Sequence, residues 1–72
     1  MKANVPGEIA KGLLLTTCEE RVLDHVLRGE TNREIAERLG CSVKNIEYHV
    51  SNILRKAGQP SRTKLLAAVR VA

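Results

Sequence analysis

Apolar residues in this chain recur at intervals of three and four, and glycines separate the segments they mark. Val22, Leu23, Val26 and Leu27 form the first such stripe, and Gly29 stands behind it. Ile35, Ala36 and Leu39 form the second, closed by Gly40. Val43, Ile46, Val50, Ile53, Leu54 and Ala57 fall on one side of a third, followed by Gly58 and Pro60. Leu65, Leu66, Ala68 and Val69 offer a fourth. This spacing is that of helices with one buried face. The starts are marked as well. Thr16 with Glu19 and Thr31 with Glu34 are capping-box pairs, with Thr17 and Glu20 as a competing register for the first. Ser42 and Ser61 open the third and fourth helices. No stretch alternates with period two, so the expectation is an all-α domain of four helices. Residues 1–14 have weak periodicity and a Pro6-Gly7 break. They read as a leader or linker, with a short helix near residues 8–13, and the domain proper as residues 15–72.

Only Gly40, Cys41 and Ser42 separate the second and third helices, the outline of a helix-turn-helix. Ala36 is small where the two helices must approach. Gly40 fits a left-handed turn position, where a Cβ is costly. Ile46, ten residues after Ala36, is placed to enter the shared core. An ordinary corner between two helices of a bundle is the alternative.

Composition narrows the function. The chain has 72 residues, one Tyr and neither Trp nor Phe, so its core rests on aliphatic side chains and a deep catalytic cleft is hard to build. No nucleophile–base pair and no glycine-rich phosphate loop is present, and an enzyme is not expected. The net charge is +4, unevenly spread. Residues 1–41 hold six Lys/Arg and seven Asp/Glu, whereas residues 42–72 hold six Lys/Arg and one acid. Such a step suggests that the second half faces a polyanion, a solvated basic face being the alternative. Cys18 and Cys41 cannot make a zinc set and read as free, buried thiols of a reducing compartment. No metal and no cofactor is expected. No apolar run approaches the ~20 residues of a membrane span, and the N-terminus does not read as a signal peptide; a cytoplasmic protein is expected.

The third helix carries the chemistry. Opposite its apolar side lie Lys44, Tyr48, Ser51 and Arg55, with Asn52 and Glu47 at the borders. A polar helix face of this kind fits a major groove ~12 Å wide. Glu47, an acid on that face, has three readings: acceptor from a cytosine N4, structural partner of Lys44 or Ser51, or a sign of a protein partner instead of DNA. Tyr48 is read as a contact to phosphate or to a thymine methyl, and His49 as a half-buried packing residue at the edge of the apolar face.

At these positions the chain resembles the LuxR-type (GerE-like) C-terminal DNA-binding domain. The likeness runs from residue 15 to about residue 69. It is carried by Leu15-Thr16 with Glu19 and Val22-Leu23, by Asn32-Arg33-Glu34-Ile35-Ala36 with Leu39-Gly40, by Ser42, Ile46 and His49, and by Asn52-Ile53-Leu54-Arg55-Lys56, Gly58 and Ser61-Arg62-Thr63. It implies a tetra-helical fold that binds double-stranded DNA, usually as a dimer, in a bacterial transcriptional regulator. It implies that Lys44, Glu47, Tyr48 and Ser51 face bases or nearby phosphates. Asn32, Arg33, His49, Arg55 and Lys56, with Arg62 added, then lie near the DNA backbone. The fourth helix would form the dimer contact, here through Leu65, Leu66 and Val69. RNA polymerase is a candidate second partner, and a helical adaptor without DNA readout is the alternative. The chain departs from the family pattern at Thr17-Cys18, where Pro-Arg is common, and at Glu47, where Lys is common.

Overall fold

The computed structural model describes residues 14–71. Four helices follow in order: α1 (Thr17–Leu27), α2 (Asn32–Leu39), α3 (Val43–Ala57) and α4 (Arg62–Val71). Among the described residues there is no strand. The leader and the short helix expected near residues 8–13 lie outside the described residues, apart from Leu14.

Local chemistry sets each helix start. The Thr16 side chain accepts from the Glu19 N–H at 3.1 Å, and the Glu19 carboxylate accepts from the Thr16 N–H at 3.0 Å. The first of the two expected registers is therefore the one used. Thr31 and Glu34 repeat the arrangement at 3.2 and 2.8 Å. Donation from the Thr31 backbone N–H holds the Glu34 carboxyl below the usual carboxylate range. Ser42 accepts from the Asn45 N–H at 3.1 Å, and Ser61 from the Lys64 N–H at 3.2 Å.

The first three helices end alike. The N–H beyond the turn returns to a carbonyl of the last helical turn: Glu30 to His25 at 3.3 Å, Cys41 to Ala36 at 3.0 Å and Gln59 to Leu54 at 3.0 Å. At Gly40 this closure needs φ +69°, a left-handed backbone that other residues adopt only with strain. A side chain there would meet no neighbouring atom, so the demand for glycine is conformational.

Val22, Leu23 and Val26 of α1, Ile35 and Ala36 of α2, Ile46, Val50 and Ile53 of α3, and Leu65 of α4 form one buried cluster. Ala36 and Ile46 are both buried in it, as the turn spacing leads one to expect. Leu66 and Val69 are half-buried against the same cluster, and Ala68 is exposed. Leu65 is 1% exposed, so its side chain is spent within the protomer and has no surface to offer a second copy. The dimer expectation for Leu65 is corrected on that ground. Cys18 is corrected as well. It is free but exposed in the first turn of α1, whereas Cys41 is half-buried against the core.

Candidate nucleic-acid interface

The cap of α3 and its apolar stripe fix the side that faces outward. Lys44, Glu47, Tyr48 and Ser51 are all exposed on it, Tyr48 at 64%. None of the four makes a hydrogen bond or ion pair with another described residue. Glu47 has no bond to Lys44 or Ser51, so its helix-stabilising reading finds no support in the geometry. Val43, counted with the apolar side in the sequence, is 39% exposed in the first turn of α3. It adds a branched apolar group next to Glu47, one turn along the helix. Sequence periodicity alone could not separate Val43 from the core, because the helix has only just begun there and no neighbouring element covers it.

The residues expected along the DNA backbone divide into two groups. Arg33 is exposed and makes no hydrogen bond or ion pair with another described residue. The others are engaged inside the domain. Arg62 donates from Nη1 to Asn32 Oδ1 at 2.5 Å and from Nη2 to the Glu30 carbonyl, pinning the start of α4 to the start of α2. Arg55 donates to the Asn52 side-chain oxygen one turn back. Lys56 Nζ meets Glu19 Oε1 at 2.5 Å and the Leu14 carbonyl at 3.2 Å. His49 is half-buried, with its ring at an edge-on 5.7 Å from Tyr48.

Glu19 therefore has two roles, as N3 of its own capping box and as the counter-ion of Lys56 on α3. Its residue is 4% exposed. Burial pushes its carboxyl up, but the Lys56 ammonium, the Thr16 N–H and nearby His49 together outweigh that and bring it below the usual carboxylate range. Glu30 is a second junction. Its carboxylate meets His25 Nδ1 at 3.1 Å and Arg38 Nε at 3.0 Å. Asp24, 6% exposed, pairs with Arg28 at 3.0 Å. Three acids of the first half, Glu19, Asp24 and Glu30, thus pair with cations within the fold. Among the described residues no group of three metal-ligating side chains could hold a metal ion, and no helix is long and apolar enough to cross a membrane.

Two helices joined across Gly40, the second with an exposed polar face, form a helix-turn-helix. The match to known proteins is more specific. Residues 13–69 match the GerE model, described as bacterial regulatory proteins of the luxR family, and the chain belongs to that family. It is 47% identical over 51 residues to the response regulator Rre1 of Synechocystis, which covers 71% of this chain and 22% of that protein. Identity is 44% over 52 residues to the probable transcriptional regulator ycf29 of Pyropia yezoensis, covering 72% and 23%. It is 37% over 59 residues to the transcriptional repressor ThaA of Burkholderia thailandensis, covering 82% and 24%. The chain spans less than a quarter of the length of each of these relatives. No solved structure matches.

Proposed function

We propose that this domain binds double-stranded DNA sequence-specifically, with α3 in the major groove, as part of a bacterial transcriptional regulator. The observation that carries this reading is the exposed row Lys44, Glu47, Tyr48 and Ser51. It is polar and contiguous, and its side chains make no hydrogen bond or ion pair with another described residue, whereas Glu19, Asp24 and Glu30 are paired. Lys44 and Ser51 supply donors to bases or phosphates. Tyr48 supplies a hydroxyl and a ring edge, and Val43 a methyl contact suited to thymine. Glu47 accepts from cytosine N4 and repels guanine or thymine acceptors at the same place, which trades affinity for selectivity. Arg33 at the start of α2 neutralises a phosphate. Asn32 and Arg62 act mainly by fixing the start of α4 against the start of α2, and Lys56 by fixing α3 against α1. A pair of domains bound through α4, with Leu66 and Val69 at the contact, would read half-sites about one helical turn, ~34–36 Å, apart.

Selection from a random duplex pool at about 0.15 M salt tests the reading. A recovered motif with two-fold symmetry is the expected result. No enrichment over the input would replace it with the protein-binding adaptor reading. On the recovered site, Glu47→Ala is expected to relax preference at one C·G pair by ~1–3 kcal/mol, measured against all four pairs at that position. Equal losses on all four would show that Glu47 does not read a base.

A further inference from the structure

Beside the exposed row, between α1 and α3, lies a cleft of about 150 Å³. It is lined by the apolar Val22 and Leu39 and by Cys18, Arg21, Cys41, Asn45 and His49. Arg21 is exposed and has no hydrogen bond or ion pair with another described residue. Asn45 is exposed, and its side chain likewise has no such partner. His49 contributes the most unusual feature of the cleft. Its Nδ1 is buried without any hydrogen-bond partner. A neutral imidazole has one N–H and one bare nitrogen, and a buried N–H with no acceptor is the costlier of the two to leave unmatched. A proton on Nε2, the ring nitrogen that is not enclosed, leaves a donor available at the cleft. The nearby carboxylate of Glu19 is buried and paired with Lys56, so it does not oppose an anion here strongly.

We propose that this cleft is a phosphodiester-binding subsite, filled by one backbone phosphate of the groove wall. The Arg21 guanidinium supplies the charge, and the Asn45 amide and His49 Nε2–H supply further hydrogen bonds. The inference rests on the DNA-binding reading above and adds a place and a chemistry to it. A helix with side chains is 10–12 Å across and the major groove about 12 Å wide, so both flanks of α3 press against sugar-phosphate walls. Arg33 serves the wall on the side of α2. The flank toward α1 is that of Asn45 and His49, and the cleft is the feature that this side offers to the opposite wall. Arg21 lies on the acidic half of the sequence, seven positions before the nearest cation of that half and outside the helix-turn-helix, so charge patterning alone does not single it out.

The experiment is a salt titration of binding to a random-sequence duplex, with the domain as it stands and its Arg21→Gln and Arg33→Gln variants. Arg21→Gln is expected to weaken binding about tenfold at 0.05 M salt and to reduce the slope of log K against log salt by ~0.9. Arg33→Gln, the reference phosphate contact, is expected to do the same. In a duplex scanned with single neutral methylphosphonate linkages, one position should weaken the unsubstituted domain but not Arg21→Gln. The His49 Nε2 resonance should shift on adding duplex and stay in place for Arg21→Gln. If the domain binds DNA and Arg33→Gln loses its increment while Arg21→Gln keeps affinity and slope, the subsite is overturned and the DNA reading stands. If the domain binds no duplex at all, both fall. If inorganic phosphate alone moves the His49 resonance while no methylphosphonate position couples to Arg21, the cleft takes free phosphate and the proposal is overturned.

Discussion

Leu23→Ala should leave much of the protein unfolded at physiological temperature. Leu23 is fully enclosed within the cluster that the four helices share. Truncating it removes its transfer free energy and opens a hole that four short helices cannot easily close, at a cost of about 3 kcal/mol. An aliphatic domain of this size has only about 3–5 kcal/mol to lose. The melting temperature should drop by roughly 15–20 °C, with loss of cooperativity in far-UV circular dichroism. Leu23→Met conserves volume and is expected to cost less than about 1.5 kcal/mol. Equal losses in the two variants would show that side-chain chemistry, not the cavity, decides at this position.

Lys56→Met is expected to destabilise the fold by roughly 2 kcal/mol at about pH 7. It leaves the Glu19 carboxylate enclosed without its cation, while the lysine itself is one-third exposed, which reduces the cost below that of a fully buried pair. The pH dependence has a definite sign. In the unmodified protein the Glu19 carboxyl titrates below its ordinary value, so its contribution is complete above about pH 4.5 and is lost as pH falls through the lowered value. In Lys56→Met, burial is no longer offset by the ammonium, and protonation relieves the variant instead of harming it. The stability gap between the two proteins should therefore narrow as the pH is lowered from about 7 to about 3.5. Denaturant melts across that range measure it. A gap that stays constant or widens toward acid would mean that Lys56 stabilises through its methylene stem and not through its charge. The same substitution separates two uses of Lys56. If its loss weakens DNA binding only in proportion to the folded fraction, Lys56 is a structural strut and not a phosphate contact.

These two cases also mark how far the sequence could be read. The signals that start and stop each helix were legible. The Thr-x-x-Glu pairs, the serine caps, the glycine closures and the outward row of α3 each follow from short spacing and the 3.6-residue period. Pairings that cross the fold were not. Glu19 and Lys56 are 37 positions apart and Arg62 and Asn32 are 30 apart, and nothing local distinguishes them from solvated charges. That is why Lys56, Arg62 and Asn32 read as free to meet phosphates when each already has a partner. Leu65 was misjudged for a related reason. The fourth helix has a weak amphipathic pattern, and which of its leucines points inward depends on where Arg62 anchors its start. The buried acids Glu19 and Asp24 escaped notice because acids are ordinarily solvated, and only the tertiary fold reveals that theirs are not.

Tyr48 is the one Phe, Tyr or Trp side chain of the protein, and it stands in the exposed row of α3 proposed to enter the groove instead of in the core. The molecule therefore carries a single intrinsic fluorophore, and it sits on the exposed polar face of α3. Its emission should change little when the folded chain melts, since the ring is already largely in water. It should be quenched when bases close over it. One unlabelled signal thus follows occupancy almost independently of folding.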